Sequence, residues 1–205
     1  MKRYTWQDII KENEKHIKLI GYWSLLNSNT HHSEHNWLPV IISGFRRIYN
    51  LRVVPLKPTK KWLKFIQKYW KKYWIINKKT RKQQISKNSC VLNCIYTWNK
   101  KDLVNWLCIN VQSSDYKSYS VRETQYYLYK TNFEYICPNT WKVTKTNEKA
   151  YVLWAKKEAI LKKWKPFQNY HINTRKWAYG IWKYFWELFD KTTFNTKWKI
   201  LNNEK

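Results

Sequence analysis

Between His35 and Lys101 the chain carries seventeen Lys or Arg and not one Asp or Glu over 67 residues. Without acids, the i,i+4 ion pairs that normally steady a charged helix cannot form. Like charges spaced this closely weaken the local structure unless something negative lies against them. The whole chain repeats the imbalance, with 40 Lys or Arg against 13 Asp or Glu and a formal charge of +27. Such a charge repels itself in the compact state. A disordered basic tail is excluded, because 43% of the 205 residues are apolar and 19% aromatic, which is enough for a core.

Anionic membrane, DNA and RNA are the partners that suit this balance. No run of about 18 apolar residues is present, so no bilayer-spanning segment is expected. The start, Met1-Lys2-Arg3-Tyr4-Thr5, has no apolar stretch behind it and does not read as a secretory leader. Asp8, Glu12 and Glu14 come too early for a transit peptide. Without a secretory signal, Cys90, Cys94, Cys108 and Cys137 are expected to be reduced.

The clearest element is a helix over Lys60–Ile76, with Thr59 as cap and Pro58 before it. On a wheel at about 100° per residue, Trp62, Leu63, Phe65, Ile66, Tyr69, Trp70, Tyr73 and Trp74 share one half. Lys60, Lys61, Lys64, Lys68, Lys71 and Lys72 face the other way. Further helices are expected at Trp6–Ile20, Asp102–Leu107, Glu148–Trp164 and Arg175–Phe189, with Asn147 and Thr174 as caps for the last two. Strand composition marks Val40–Ile42, Ile48–Val54, Cys90–Trp98, Tyr119–Lys130 and Phe194–Leu201. Tyr119, Val121 and Glu123 alternate with Ser120, Arg122 and Thr124 as on a half-exposed strand. The expectation is a single α+β domain over residues 1–205, with antiparallel strands and several amphipathic helices, one strongly basic. The Asn/Lys-rich segment 77–88 is a candidate flexible loop between two lobes.

Polyanion binding follows from the lysine face, since each neutralised phosphate releases condensed counterion. The candidate RNA-binding residues are Arg46, Arg47, Arg52, Lys60, Lys61, Lys64, Lys68, Lys71, Lys72, Lys78, Lys79, Arg81 and Lys82. Lysine acts there as a point charge and reads no sequence. Fifteen Trp and sixteen Tyr add surfaces on which unpaired bases could stack, although no RNP-type, KH or helix-turn-helix pattern selects among them.

Motifs for catalysis are sparse. His35, Asn50-Leu51 and the helix from Lys60 resemble an HNH-type nuclease. That resemblance implies His35 as general base, Asn50 as loop residue and a metal-ligating His on the helix. The helix position holds Lys60–Lys61 instead, and no His occurs from Asn36 to Tyr170. Asp115 and Glu123 suggest a metal nuclease pair, but no Lys follows Glu123 at the required spacing. Cys90-x3-Cys94 with Cys108 and Cys137 lacks the tight paired knuckles of structural zinc, so buried thiols are the plainer reading. P-loop, GxSxG and HExxH motifs are absent. No cofactor, metal or small-molecule substrate is expected.

Abundant Lys, Asn, Ile and Tyr, three Gly and fifteen Trp suggest an AT-rich gene that reads UGA as Trp. The combined expectation is a non-enzymatic, structural RNA-binding protein. It would be a divergent, organelle-encoded mitochondrial ribosomal protein in the matrix, touching rRNA and neighbouring proteins. An HNH-like nuclease, or a viral accessory protein resembling lentiviral infectivity factors and located in the cytoplasm, is the alternative. The basic, Trp-rich composition carries that last resemblance, while the SLQ box and HCCH spacing of those factors are missing.

Overall fold

The computed structural model describes residues 2–21, 37–52, 59–61, 64, 89–137, 139–161, 165–166 and 168–194. The chain enters through β1 (Arg3–Tyr4) and α1 (Trp6–Glu12). Thr5 caps α1, and its capping box closes with Asp8. Asn13 ends the helix in the left-handed region, at φ 52°, which an Asn tolerates. The expected helix Trp6–Ile20 therefore stops early, and its second half becomes β2 (His16–Gly21).

β3 (Leu38–Ser43) and β4 (Phe45–Arg52) follow. Gly44 joins them at φ +81°, and a Cβ there would sit 3.0 Å from the Tyr96 ring. This turn carries the chain from one sheet to the other. β5 (Ser89–Tyr96), β6 (Leu103–Gln112), α2 (Tyr116–Arg122), β7 (Tyr126–Ile136) and β8 (Val143–Ala155) come next. The chain closes with β9 (Lys165–Pro166), α3 (Gln168–Ile181), α4 (Lys183–Lys191) and β10 (Thr193–Phe194).

The larger sheet has the order β1-β7-β3-β6-β2-β8, and β8 also pairs with β7. Strands β7, β3, β6, β2 and β8 thus close into a five-stranded barrel. Its contacts are antiparallel except for β2 against β8, where Leu19 faces Tyr151 and Ile20 faces Val152 in parallel. The second sheet has the order β10-β4-β5-β9. Leu19, Val40, Val104, Leu128 and Val152 belong to the barrel core. A second core, with Tyr49, Leu92, Leu107, Phe185 and Phe189, joins the smaller sheet to α3 and α4.

The α+β class holds, with a mixed barrel in place of a purely antiparallel sheet. The strands expected at Val40–Ile42, Ile48–Val54 and Cys90–Trp98 lie within β3, β4 and β5 or overlap them, and the last expected helix is split into α3 and α4 at Trp182. Two expected helices are strands instead. Asp102–Leu107 opens β6, because Val104, Trp106 and Cys108 pack into the barrel core while Leu107 packs into the second core. A strand buried on both faces loses its alternation. The first half of Glu148–Trp164, up to Ala155, lies in β8, where pairing with both β7 and β2 overrides the helical spacing of its apolar residues. Conversely, the strand expected at Tyr119–Lys130 starts as helix α2. Lys60, Lys61 and Lys64 are helical and exposed. The rest of the basic helix, and the loop 77–88, lie outside the described residues. No helix among the described residues is long and apolar enough to cross a membrane.

Candidate active site

α2 crosses from the end of β6 to the start of β7. Tyr116, Tyr119 and Arg122 recur every third residue, so they share one helix face, and all three are buried. Lys117 and Ser118 face solvent. Glu123 is the residue at which the helix ends, at φ −98° and ψ 34°. Its N–H still donates to the Tyr119 carbonyl at 2.8 Å, and its own carbonyl accepts from Tyr126 N–H at 3.1 Å, closing a tight turn into β7. Adjacent residues within a helix do not face one another. Because Glu123 has left helical geometry, its side chain turns back on Arg122, and Arg122 Nε lies 2.6 Å from Glu123 Oε1.

Both side chains are nearly sealed, 4% and 7% exposed. Among the described residues, no other ion pair has both partners so deeply buried; Arg46–Asp102 and Arg175–Asp190, for example, each keep an arginine about a third exposed. Burial raises the proton affinity of the Glu123 carboxyl above the usual carboxylate range, and Arg122 works against that rise. Tyr119 is fully buried beside the pair, and burial pushes its hydroxyl well up. Tyr170 of α3 lies within electrostatic reach of Glu123.

The pair sits where three parts of the molecule meet. Tyr126, three residues on, pairs with Ala155 at the end of β8. Since β2 runs parallel to β8, Gly21 leaves β2 toward this same end of the barrel. Tyr22, Trp23 and Ser24 follow in sequence, outside the described residues. From the second sheet, the Arg52 carbonyl accepts from Gln125 Nε2 at 3.3 Å, and Asn93 Oδ1 accepts from Ala155 N–H at 3.2 Å. An open groove of about 360 Å³ between α1 and α2 lies toward the other end, near Asn13, Glu14 and Ser113. A buried carboxyl whose proton affinity is raised can give and take a proton. That is the chemistry this arrangement offers.

The residues singled out from sequence are dispersed. Arg46 pairs with Asp102 at 2.9 Å. Arg47 is fully buried and so removed from any surface that could meet RNA. Arg52 is half-buried at the end of β4. Lys60, Lys61 and Lys64 are exposed, while Lys68, Lys71, Lys72, Lys78, Lys79, Arg81 and Lys82 lie outside the described residues, as does His35. Asn50 is buried, with its side chain accepting from Asn93 Nδ2 at 2.9 Å and its carbonyl from Leu161 N–H at 2.8 Å. Cys94 and Cys108 belong to the barrel core and Cys90 to the second core. Among the described residues no cluster of His, Cys, Asp or Glu could hold a metal. Glu123 came up in the sequence as a position on an expected strand and, beside Asp115, as half of a metal nuclease pair. The signal for it was the three-residue spacing of Tyr116, Tyr119 and Arg122, with the acid directly after.

No family model matches the chain, and no curated protein matches it in sequence. Solved structures do match in fold. A γ-glutamyl cyclotransferase specific to glutathione, from yeast, superposes with a TM-score of 0.54 at 13% identity, over 94% of this chain and 100% of that one. YkqA from Bacillus subtilis gives a TM-score of 0.49 at 11% identity, and the match spans 55% of its length and 88% of this chain. The solution structure of At3g28950.1 from Arabidopsis thaliana gives 0.40 at 12% identity, over 82% of this chain and 80% of that one. At these identities the likeness is one of fold.

That likeness overturns the expectation of a non-enzymatic, RNA-binding ribosomal protein, together with the nuclease and viral alternatives. The chain's fold is like that of the yeast protein. The physical reason for the error is that net charge speaks to solubility and non-specific association and carries no information about fold. What the chain resembles, over nearly its whole length, is the fold of a glutathione-specific γ-glutamyl cyclotransferase.

Proposed function

We propose that the chain is an enzyme of the γ-glutamyl cyclotransferase type, with Glu123 as its proton-transfer group. The observation that carries this reading is the buried Arg122–Glu123 pair at 2.6 Å, set at the barrel end in a fold like that of the yeast enzyme. The substrate class is a γ-glutamyl amide with a free α-amine, such as glutathione. A small-molecule substrate thus replaces the macromolecular partner expected from the charge.

The chemistry is an internal transfer. The α-amine of the γ-glutamyl unit attacks its own γ-carbonyl carbon, a carbon–nitrogen bond forms in a five-membered ring, and the bond to the departing amine breaks. Two protons pass from the attacking nitrogen to the leaving nitrogen with Glu123 as carrier, so the carboxylate ends as it began. An ordinary Glu, with a pKa of about 4.3, is a weak base toward an α-ammonium near ~8. Burial raises the affinity of Glu123 and narrows that gap, as efficient general catalysis requires. Holding amine and carbonyl in one bound conformer supplies the remaining gain through proximity.

The test is to incubate the purified protein with glutathione and simple γ-glutamyl dipeptides and to quantify 5-oxoproline by mass spectrometry. Formation by the wild type and loss in Glu123→Gln is the expected result. An absence of 5-oxoproline from every γ-glutamyl compound would sink the reading, and so would undiminished activity in the variant.

A further inference from the structure

We propose that Arg122 is a positioning residue for Glu123, and that the N-terminal helix belongs to the same assembly because Trp6 braces Tyr119 beside it. This inference rests on the reading of Glu123 as the proton-transfer group and deepens it.

The argument starts from the carboxylate. A free carboxylate turns about its terminal bond and offers four lone-pair directions. In this site Oε1 is held by Arg122 Nε at 2.6 Å, which fixes the plane of the group. The guanidinium is itself planar and rigid, so it transmits its own orientation to the acid. Arg122 in turn stands 5.7 Å from the Tyr119 ring centroid. The Trp6 indole stacks on the same ring, with centroids 5.4 Å apart and planes 28° apart. Trp6 also leans on Tyr116 at 6.2 Å.

Trp6 is only 5% exposed and Tyr119 fully buried, so neither ring can turn without opening a void. The entry of α1 is pinned as well. Thr5 N–H donates to Asp8 Oδ2 at 2.7 Å, and Asp8 N–H donates to Thr5 Oγ1 at 3.3 Å. The chain of contact runs from the N-terminal cap through Trp6, Tyr119 and Arg122 to Glu123.

This arrangement also sets when Glu123 ionises. Two influences oppose each other there, burial favouring the neutral acid and Arg122 favouring the carboxylate. Among the described residues, titratable groups near this spot include Tyr119, with Asp115 close to it, and Tyr170 of α3 with Tyr126 near it. All three tyrosine hydroxyls are pushed far above neutrality by burial, so none changes charge in the range where Glu123 does.

The experiment is a direct titration of Glu123 in the full-length protein labelled with carboxyl-13C glutamate, using Glu123→Gln to assign its NMR signal. Arg122→Gln should raise the midpoint by ~1 pH unit or more, a tenfold gain in proton affinity, as expected when a neighbouring cation is removed. Arg122→Lys keeps the charge but not the planar fork, so it should raise the midpoint by a smaller, measurable amount. It also remains informative if Arg122→Gln fails to fold. Trp6→Ala should broaden or shift the same titration, and Trp6→Phe should restore it.

In the 5-oxoproline assay, the acid limb of kcat/KM should move with the midpoint while KM changes little. A folded Arg122→Lys protein whose midpoint stays at the wild-type value overturns the proposal. If that occurs while activity still depends on Glu123, the functional reading survives without it. If the midpoint moves as expected but no substrate is ever turned over, the positioning role stands and the functional reading falls.

Discussion

Two buried arginines, Arg47 and Arg122, solve the same problem in opposite ways. Arg47 lies on β4 with no exposed surface, and the acceptors it donates to are neutral. Its Nη1 donates to the Phe189 carbonyl at 3.1 Å and to Thr193 Oγ1 at 3.0 Å. Its Nη2 donates to Asn105 Oδ1 at 3.0 Å and to the Asn105 carbonyl, and its guanidinium covers the Phe189 ring at 4.0 Å. Asn105 extends the network to the Phe185 carbonyl at 2.8 Å. The cation therefore sits against carbonyls near the end of α4, where a positive charge complements the helix dipole. It ties α4 to strands of both sheets. Burial pulls its pKa down to about 9, which leaves it charged at neutral pH. Arg122 meets a carboxylate instead. Carbonyls cannot exchange protons with their surroundings, whereas Glu123 can. A buried cation is thus no mark of a site by itself; the chemistry of its partner decides.

The largest expected effect tests that distinction. Glu123→Gln should lower 5-oxoproline formation by ~100-fold to ~10,000-fold, the usual contribution of a general acid–base group, with an unchanged circular dichroism spectrum. Arg47→Met should instead leave the rate per folded molecule alone and lower stability. Several buried acceptors lose their donor, each at ~1–3 kcal/mol, so a loss of about 3 kcal/mol or more in urea unfolding is expected. An Arg47→Met protein of wild-type stability would erase the contrast.

A smaller effect concerns His171, whose Nδ1 is 2.8 Å from the Tyr49 hydroxyl in the same region. Burial, with Arg175 adding, holds its pKa below 6.5, while Asp190 opposes. The unfolded chain therefore takes up a proton first as pH falls, and stability is lost on passing below the ordinary histidine value. The urea midpoint should drop between pH 7.5 and 5.5, and the drop should shrink in His171→Asn. An identical drop in the variant would remove His171 from the account.

The smallest effect is chemical reactivity. Burial pushes up the thiols of Cys90 and Cys94, and that of Cys108 to about 12. Hydrogen bonds from the Thr140 side chain and from the backbone at Thr140 and Asn139 pull Cys137 down. One thiol per native chain should react rapidly with a disulfide reagent at pH 7.5, and mass mapping should find it at Cys137.

Much of the outer architecture was legible in residue order. β-Branched and aromatic runs located β3, β4 and β5, and the apolar face of Arg175–Phe189 located the closing helices. β6 and β8 were not legible, because Val104–Ile109 and Ala150–Leu153 are buried without interruption and carry no alternation. α2 was misread for a related reason. Tyr119, Val121 and Glu123 satisfy a period of two as well as Tyr116, Tyr119 and Arg122 satisfy a period of three. Only the packing of Trp6, 113 positions before Tyr119 in the chain, decides between them. The site was hidden by the same non-locality. The proton affinity of Glu123 comes from burial, and no spacing rule encodes that. The charge imbalance, visible at a glance, drew attention to a surface that says nothing about the barrel.

The parallel contact of β2 with β8 has a consequence for how the molecule assembles. Leu19 meets Tyr151 and Ile20 meets Val152, so the seam that closes the barrel joins residues more than 130 positions apart. The β7–β8 hairpin can zip locally and β2 can pair with β6 along its whole length, but the barrel stays open until β8 exists to meet β2. Contacts of such long range exact their loop entropy before they return any stabilisation. Closure is therefore expected late in assembly, since its seam cannot form until β8 has been made.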